Sequence, residues 1–266
     1  MPTYTTDDGI DLYYEYDAPS DEGPTVVFLN GMTQSTKHWE RQMRLFGDDY
    51  GVVTYDGRGQ GQTPLGDGEV TMDRRVADLA DLLDHLAIDE PHVCGFSHGA
   101  RIALGFAADR PDRTDRLVLC SATADPTARA RTIVRSWRET LRHGGLEAMS
   151  WAAVPAILGN DYLEQNESIL EGIVRAAIRR NSEQGVAALL DAMEQYPELG
   201  DLADEVVSPT LVLSASEDPL VEADGARLLA DRAGGDHDQI TGVGHTIPIE
   251  APEAFHRRVA DFLGHD

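Results

Sequence analysis

Short apolar runs alternate along the chain with amphipathic segments. Five runs rich in Val and Leu are predicted to be buried strands: "TVVFLN" (25–30), "YGVVTYD" (50–56), "HVCGF" (92–96), "DRLVLCS" (115–121) and "PTLVLSAS" (209–216). The segment "GIDLYYEY" (9–16) follows the turn signal Asp8-Gly9 and is predicted to be the second arm of a hairpin. Strands that alternate with helices indicate an α/β protein with a mainly parallel sheet flanked by helices.

The clearest helical pattern runs from Met72 to Leu86. Its apolar residues recur on one stripe: Val76, Leu79, Leu82, Leu83 and Leu86. Three aspartates fall largely off that stripe: Asp78, Asp81 and Asp84. We expect these carboxylates to form a solvated helix face rather than a metal site.

The alternation stops between about Ala124 and Val206, where the pattern is helical and free of strands. Because strand patterns stand on both sides of this stretch, we expect a helical cap (124–205) inserted between two strands of one sheet. The core is then formed by 1–123 and 206–266. In such sheets the active site lies at the carboxyl ends of the strands, and the cap would cover it.

Charge narrows the set of partners. The 266 residues include 47 Asp plus Glu against 22 Lys plus Arg, a net charge of −25, and Lys37 is the single lysine. A surface this negative repels phosphates and anionic lipids, so we expect neither nucleic acid nor a membrane as a partner. The first residues carry no secretory signal, and no run approaches the ~18 apolar residues of a membrane span. We expect a soluble cytoplasmic protein. The sequence does not determine its oligomeric state.

Cofactor and metal signatures are incomplete. The segment "STKHW" (35–39) lacks the Gly-Lys-Ser/Thr of a phosphate-binding loop. The run "GRGQGQ" (57–62) has Gln62 where a dinucleotide loop needs its third glycine. Cys94 and Cys120 each end an apolar run without metal-site spacing, which favours buried free thiols. We therefore expect no cofactor and no metal.

The segment "HVCGFSHGAR" (92–101) places Ser97 between Gly95 and Gly99, at the junction of a predicted strand and a predicted helix. This pattern is typical of a nucleophile elbow, in which a sharp turn exposes the serine hydroxyl. His245 lies on a glycine-flanked loop, and Asp218 follows the strand at 209–216. The order Ser, Asp, His is the one expected for this kind of sheet, so we predict that Ser97, Asp218 and His245 form a catalytic triad.

Two further carboxylates are alternatives for the acid of the triad, Glu217 and Asp125, each near the end of a predicted strand. A serine nucleophile also needs backbone donors for the oxyanion. Gly31 permits a sharp turn after the strand at 25–30, so we predict that the backbone amides of Met32 and His98 form the oxyanion hole.

Five segments together resemble the α/β-hydrolase family over nearly the whole chain: "LNGM" with Trp39, "YDGRGQGQT", "GFSHG", "ASEDPL" and "GVGHTIPIEAPEAF". The likeness is strongest to esterases, to lactonases of the 3-oxoadipate enol-lactonase type and to cofactor-free peroxidases. It implies hydrolysis of a small carboxylic ester or lactone through an acyl-enzyme. In that family the second segment has a structural role, and Thr63 replaces its usual serine. Asn30 replaces the usual histidine before the oxyanion glycine, and we expect it to keep the loop but to change the polarity of the pocket.

Other activities on the same fold stay open. Carbon–carbon bond hydrolysis and perhydrolysis use the same triad, and a small-ligand receptor would use the pocket without catalysis. A dehalogenase would carry aspartate at the elbow, so Ser97 argues against that activity. Because every position of the catalytic machinery is filled, the sequence favours an enzyme over a receptor.

The substrate pocket is predicted to be mostly apolar and closed over a compact acyl group. Three tryptophans are expected to contact the substrate: Trp39, Trp137 and Trp151. The arginines of the predicted cap considered as possible binding residues are Arg135, Arg138, Arg142, Arg175, Arg179 and Arg180. Most such arginines are solvated or paired with nearby glutamates, whereas one that faced inward would pair with a substrate carboxylate.

The acidic composition generates a prediction about salt. Its combination with a single lysine indicates adaptation to very high salt, where ions screen the repulsion between carboxylates. We expect the thermal unfolding midpoint to rise between dilute buffer and molar KCl, where the screening length is only about 3 Å. Circular dichroism melts across that range measure the effect. A flat or falling midpoint would leave an ordinary acidic enzyme.

Overall fold

The computed structural model describes residues 2–19, 23–68 and 70–264. Of the predicted core, residues 1, 20–22, 69 and 265–266 lie outside the described residues. The strands are β1 (Thr3–Thr5), β2 (Asp11–Asp17), β3 (Thr25–Leu29), β4 (Gly51–Tyr55), β5 (His92–Phe96), β6 (Leu117–Cys120), β7 (Thr210–Ala215) and β8 (Asp236–Ile240). The α-helices are α1 (Glu40–Phe46), α2 (Met72–His85), α3 (His98–Asp109), α4 (Ala128–Ile157), α5 (Asn160–Asn166), α6 (Leu170–Arg180), α7 (Glu183–Met193), α8 (Leu199–Ala203), α9 (Ala223–Arg232), α10 (Ile247–Glu250) and α11 (Pro252–Leu263). Short 3₁₀ helices span Thr36–Trp39, Pro111–Arg113 and Glu167–Ile169.

Within the described residues the strands form one eight-stranded sheet in the order β1-β2-β4-β3-β5-β6-β7-β8. β1 and β2 form the predicted hairpin, β2 pairs antiparallel with β4, and every pair from β4 to β8 is parallel. The predicted α/β architecture with a mainly parallel sheet is therefore confirmed. The edge strand β8, "DHDQI", is mostly polar and partly exposed, which explains why it has no apolar pattern of its own.

The sheet has an apolar core on each face, because successive side chains of a strand point to opposite sides. Val27 and Leu29 of β3 pack in the cluster that contains α2, α3 and α9, whereas Val26 and Phe28 pack on the other side against α1 and α11. Cys94 and Cys120 are buried free thiols, as predicted. Among the described residues, none of the helices has the length and apolar character needed to cross a membrane.

Helices α4 to α8 lie between β6 and β7, in the stretch for which the sequence predicts a cap. They have an apolar cluster of their own, which includes Trp137, Met149 and Leu190. Gly145, with φ of 76°, interrupts α4, and Leu146 directly after it donates its amide to Glu183. The cap approaches the core closely where Gly185 faces Gly59.

The prediction of a solvated aspartate face on α2 is wrong for Asp78. This carboxylate is only 1% exposed and accepts from Arg58 Nε at 2.7 Å and Nη2 at 2.9 Å. The other side of the Arg58 guanidinium donates to Asp8, and this hydrogen bond holds the pKa of the Asp8 carboxyl well below its usual value. Arg74 adds a further ion pair to Asp78 at 2.9 Å. The buried cluster ties the loop after β4 to α2 and to the β1–β2 turn.

This cluster yields a stability prediction. Asp78→Asn removes the buried counter-charge of Arg58, and breaking a buried pair by removing one partner costs about 3–5 kcal/mol. Asp81→Asn is the matched control on the same helix, because Asp81 is partly exposed and its contact with Arg74 is 3.6 Å long. We expect the control to change stability by less than about 0.5 kcal/mol. Urea unfolding measures both variants, and equal losses would contradict the assigned role of Asp78.

Candidate active site

Ser97 lies at the sharp turn between β5 and α3. Its backbone has φ of 52° and ψ of −111°, a conformation that costs a non-glycine residue about 1–3 kcal/mol. The flanking glycines make this turn sterically possible. A Cβ at Gly99 would collide with the carbonyl groups of Leu29 and Asn30, and a Cβ at Gly95 would collide with the first turn of α3. Ser97 is partly accessible while the residues on either side of it are buried.

His245 lies on the loop between β8 and α10. Its Nε2 is 2.8 Å from Ser97 Oγ, and its Nδ1 is 2.6 Å from Asp218 Oδ2. The carboxylate can only accept, so Nδ1 carries the proton and Nε2 accepts from the Ser97 hydroxyl. Ser121 Oγ donates to the His245 carbonyl at 2.7 Å and fixes the backbone of the loop. The imidazole is therefore held in the orientation that a general base toward Ser97 requires.

Asp218 follows β7 and is buried. Its Oδ1 accepts from the backbone amides of Leu220 at 2.8 Å and Val221 at 3.2 Å, which leaves Oδ2 for the histidine. The alternative acids lie elsewhere. Asp125 is exposed, and Glu217 accepts from Asn160 in the cap. The structure thus brings together the three residues of the predicted triad in one chain of hydrogen bonds.

Glu250, which the sequence analysis did not single out, holds the histidine loop in place. Its Oε2 accepts from the amides of Gly244 at 3.0 Å and Gly159 at 2.8 Å. Its Oε1 accepts from the amide of Thr246 at 3.1 Å and from the Thr246 hydroxyl at 2.7 Å. One carboxylate therefore ties both neighbours of His245 to Gly159, which directly precedes α5. The spacing of a glutamate one helical turn after the histidine loop was the signal available in the sequence.

The two residues predicted to form the oxyanion hole line the same cavity as Ser97 and His245. His98 is the first residue of α3, so its amide has no acceptor within the helix. Met32 follows the turn at Gly31, where a Cβ would lie 2.6 Å from the ring of Phe96. Both residues thus stand where the loop after β3 meets the elbow.

Asn30 does not set the polarity of the pocket, which corrects that expectation. Its Nδ2 donates to the Tyr55 carbonyl at 2.8 Å and lies 3.3 Å from Asp56 Oδ1, and its Oδ1 accepts from Trp39 Nε1 at 2.9 Å. These partners lie in the core beneath the oxyanion loop. Asn30 therefore supports the loop, while its side chain is absent from the cavity wall.

A cavity of about 530 Å³ opens onto Ser97 between the cap and the sheet. Its apolar walls include Met32, Phe96, Trp137, Met149, Ile157 and Leu190. Of the three tryptophans predicted to contact substrate, the structure places only Trp137 on this wall. Trp39 is 1% exposed and stacks on Phe28 in the core, and Trp151 is 41% exposed on the cap surface. Both expectations are corrected, because the hydrogen bond to Asn30 draws Trp39 into the core and the outer face of α4 carries Trp151.

Arg101 is a cavity residue that the sequence analysis missed. It follows Ser97 by four residues on α3 and therefore lies one helical turn away from it on the same side of the helix. In the described part of the chain its guanidinium has neither a hydrogen bond nor an ion pair, and burial lowers its pKa, partly offset by Glu198. Two of the cap arginines named from the sequence, Arg135 and Arg138, also line the cavity, and Arg138 is paired with Glu194. The spacing of Arg101 from Ser97 was the signal available in the sequence.

His98 adds a neutral ring to the same wall. Burial holds the pKa of His98 well below its usual value, and the nearby guanidinium groups of Arg75 and Arg101 lower it further. Its Nε2 lies 3.4 Å from the hydroxyl of Tyr196. The His98 side chain is therefore uncharged at neutral pH. Arg101 is then the positively charged residue that lies nearest to Ser97 in the sequence.

Comparison with known proteins shows which hydrolases the chain is similar to. The family model described as serine aminopeptidase, S33 (Hydrolase_4), matches residues 21–251. The chain is 29% identical to the putative carbamate hydrolase RutD of Caulobacter sp. (strain K31), covering 95% of each chain, and 24% identical to 3-oxoadipate enol-lactonase 2 of Acinetobacter baylyi, covering 89% of this chain and 87% of that protein. The crystal structure of the enol-lactonase from Burkholderia xenovorans LB400 superposes with a TM-score of 0.89 at 26% identity, covering 98% of this chain and 99% of the other.

The hydrogen-bonded chain from Ser97 to Asp218 yields a kinetic prediction. Because the members of a triad act as a unit, Ser97→Ala and His245→Ala should each lower kcat for a short p-nitrophenyl ester by about 10⁴-fold or more. Asp218→Asn should cost about 10³- to 10⁴-fold, since it favours the wrong tautomer of His245.

Asp125→Asn is the matched control and should retain full activity, because Asp125 is exposed and makes no contact with His245. Thermal melts establish that each variant is folded. If Asp125→Asn lost activity while Asp218→Asn stayed active, the acid of the triad would be Asp125, after β6, and not Asp218.

Proposed function

The chain belongs to the serine aminopeptidase S33 family of α/β hydrolases, and from this membership we propose that it cleaves small carboxylic esters or lactones through an acyl-enzyme on Ser97. The observation that carries the proposal is the hydrogen-bonded series Ser97, His245 and Asp218, of which Ser97 and His245 line the cavity. The enol-lactonase and carbamate hydrolase relatives support hydrolysis at a carbonyl carbon.

In the first half of the proposed reaction, His245 Nε2 takes the proton of Ser97 as Oγ attacks the substrate carbonyl. The carbonyl oxygen becomes an oxyanion that accepts from the amides of Met32 and His98. The tetrahedral intermediate collapses and breaks the bond to the leaving oxygen, which receives the proton from His245. In the second half, His245 takes a proton from a water molecule as the water oxygen attacks the acyl carbon. The bond to Ser97 Oγ then breaks, Oγ takes the proton back from His245, and the carboxylic acid is released. Asp218 stabilises the imidazolium in both halves.

The cavity supports a compact substrate. Its volume of about 530 Å³ lies in the range of pockets for small molecules, and the cap covers it. The apolar wall around Trp137 and Met149 suits a short acyl chain or a small ring. A long-chain lipid would need an exposed apolar face around the entrance. Among the described residues of the cap, the exposed large apolar residues are Trp151 and Ile169, and two such side chains are too few to form that face.

Arg101 favours a carboxylate on that substrate. A partly buried guanidinium without a protein partner carries an unmet desolvation cost, which a bidentate carboxylate would offset. The resemblance to an enol-lactonase is consistent with a lactone that bears an acid group. We assign the substrate class as small lactones or esters, with carboxylated lactones preferred.

We further propose that this reaction takes place in the cytoplasm and at high salt. The net charge of −25 and the single lysine, Lys37, support the high-salt part of this proposal. Screening by dense salt would also let an anionic substrate approach an acidic surface.

A substrate panel in high salt tests the proposed substrate class. Arg101→Met should lower kcat/KM for a carboxylated lactone by about 10- to 100-fold, because hydrogen bonds to charged groups contribute about 1.5–3 kcal/mol. Turnover of neutral short-chain esters should change little. Arg135→Met, which removes a more exposed arginine of the cavity wall, is the matched control.

Two outcomes would revise the substrate class. Preference for long acyl chains over acetyl and butyryl esters would contradict the compact cavity. Equal losses with neutral and carboxylated substrates in Arg101→Met would remove the carboxylate from the proposal. Tight binding of a lactone with no turnover would indicate a receptor in place of a hydrolase.

A further inference from the structure

The glycine-rich loop after β4 presents one polar side chain to the oxyanion loop. We propose that Gln60 is a positioning residue that orients the Met32 amide toward the substrate oxyanion, and that the cap holds Gln60 in place through Asn181. This inference rests on the proposed function, since it assigns a role within the same reaction. It concerns a residue that the sequence analysis treated only as part of a structural loop.

Gln60 is 3% exposed and its side-chain amide points at the backbone of the oxyanion loop. Nε2 donates to the carbonyl of Gly31 at 2.8 Å and to the carbonyl of Met32 at 3.0 Å. A single primary amide therefore uses both of its protons on two consecutive carbonyls. The contact spans 29 residues of sequence and is the kind of hydrogen bond that only a folded loop can form.

The geometry of one peptide unit links this contact to catalysis. The Gly31 carbonyl and the Met32 amide belong to the same peptide, and the described residues contain no cis peptide bond. In a trans peptide the C=O and the N–H point in opposite directions. The Gly31 carbonyl accepts from Gln60 and also from the Gln34 amide at 3.1 Å, and its contact with Gln60 directs the Met32 N–H away from Gln60. The second carbonyl contact fixes the following peptide and prevents the first from rotating.

The cap anchors the other side of Gln60. Its backbone pairs with Asn181, at the end of α6, in an isolated antiparallel bridge. The Asn181 side chain donates from Nδ2 to the carbonyl of Thr33 at 2.9 Å, one residue beyond Met32. Gln60 and Asn181 therefore donate hydrogen bonds to three successive carbonyls of the oxyanion loop, those of Gly31, Met32 and Thr33. Gln60 does so from the core and Asn181 from the cap.

Glycines around Gln60 make the inward orientation possible. A Cβ at Gly57 would lie 2.9 Å from Gln60 Oε1, and a Cβ at Gly61 would collide with the carboxylate of Asp56. Gly61 also has φ of 50°, a conformation that side chains rarely adopt. The loop "DGRGQGQT" is thus shaped around a buried glutamine, in addition to placing Asp56 and Arg58.

The expected consequence is selective for the transition state. The oxyanion forms only as Ser97 attacks, so a misoriented Met32 amide weakens a hydrogen bond that the ground state does not fully use. Loss of Gln60 should therefore lower kcat more than it raises KM. A merely structural glutamine would alter stability, or both kinetic constants, without this selectivity.

The test compares Gln60→Met, which keeps the length of the side chain and removes the donor, with Gln60→Glu, which keeps the shape and replaces the donor by an acceptor. Gln62→Met is the matched control, because Gln62 lies two residues further on the same loop and is exposed. Removing a whole oxyanion donor costs about 10²–10³ in kcat, so we expect losses of about 10- to 100-fold for Gln60→Met and larger ones for Gln60→Glu. KM should change by less than about threefold.

Two further measurements separate this role from general damage to the fold. Affinity for a trifluoromethyl ketone, which forms an oxyanion on the serine, should fall in proportion to kcat/KM, while affinity for the product acid stays the same. In ¹⁵N-labelled protein with no substrate present, the Met32 amide resonance should shift in Gln60→Met and stay fixed in Gln62→Met. Unchanged kcat and an unmoved Met32 resonance in folded Gln60 variants would overturn the inference, as would losses carried by KM alone.

The proposed function is tested separately, by measuring hydrolysis with the wild-type protein. If that protein hydrolyses no ester or lactone, the proposed reaction is wrong. The Met32 resonance then still decides whether Gln60 orients this peptide. A shifted resonance supports the orienting role, and an unshifted one overturns it.

Discussion

The strained turn at Ser97 is the constraint on which the site depends. The elbow requires positive φ at a residue with a side chain, and α3 must pass so close to β3 that a Cβ at Gly99 would strike the carbonyls of Leu29 and Asn30. That close approach brings the start of α3 against the loop that carries Met32. The same sheet order places β3, β5, β6 and β7 side by side, so that Asp218 and the loop of His245 converge on one edge. Packing of the whole sheet stabilises a turn that is locally unfavourable.

The fold and the placement of Ser97, Asp218 and His245 side by side could be predicted because they depend on local patterns. Buried strands leave continuous apolar runs, and the elbow needs glycines at fixed spacing, so Ser97, Asp218 and His245 were identified by their place in the order of strands. The direction of a side chain in a long helix or loop depends on distant partners. Trp39 packs in the core because Asn30 accepts from its ring, and Asp78 is buried because Arg58 reaches it from another loop. The same reason hid Arg101 and Gln60, whose surroundings are supplied by the cap and by the loop after β3.

Charge is distributed unequally between the surface and the cavity. Among the described residues that line the cavity, four arginines stand against two glutamates, in a chain of net charge −25: Arg101, Arg131, Arg135, Arg138, Glu194 and Glu198. An acidic exterior slows the approach of an anion, while the partly buried guanidinium of Arg101 would stabilise an anion once it is bound. Salt weakens the first effect more than the second, because buried charges are screened less than exposed ones. A preference for anionic substrates and an acidic surface are therefore compatible in a concentrated salt solution.

The central claim is that His245 activates Ser97 as the nucleophile. The most direct measurement is labelling with an aryl phosphonate. Peptide mapping with mass spectrometry locates the adduct, and a time course gives the rate at which it forms. The account predicts one adduct, on the peptide that contains Ser97, and a labelling rate at least about 10³-fold slower in His245→Ala than in the wild type. An adduct on a different residue, or equal labelling rates in the two proteins, would contradict it.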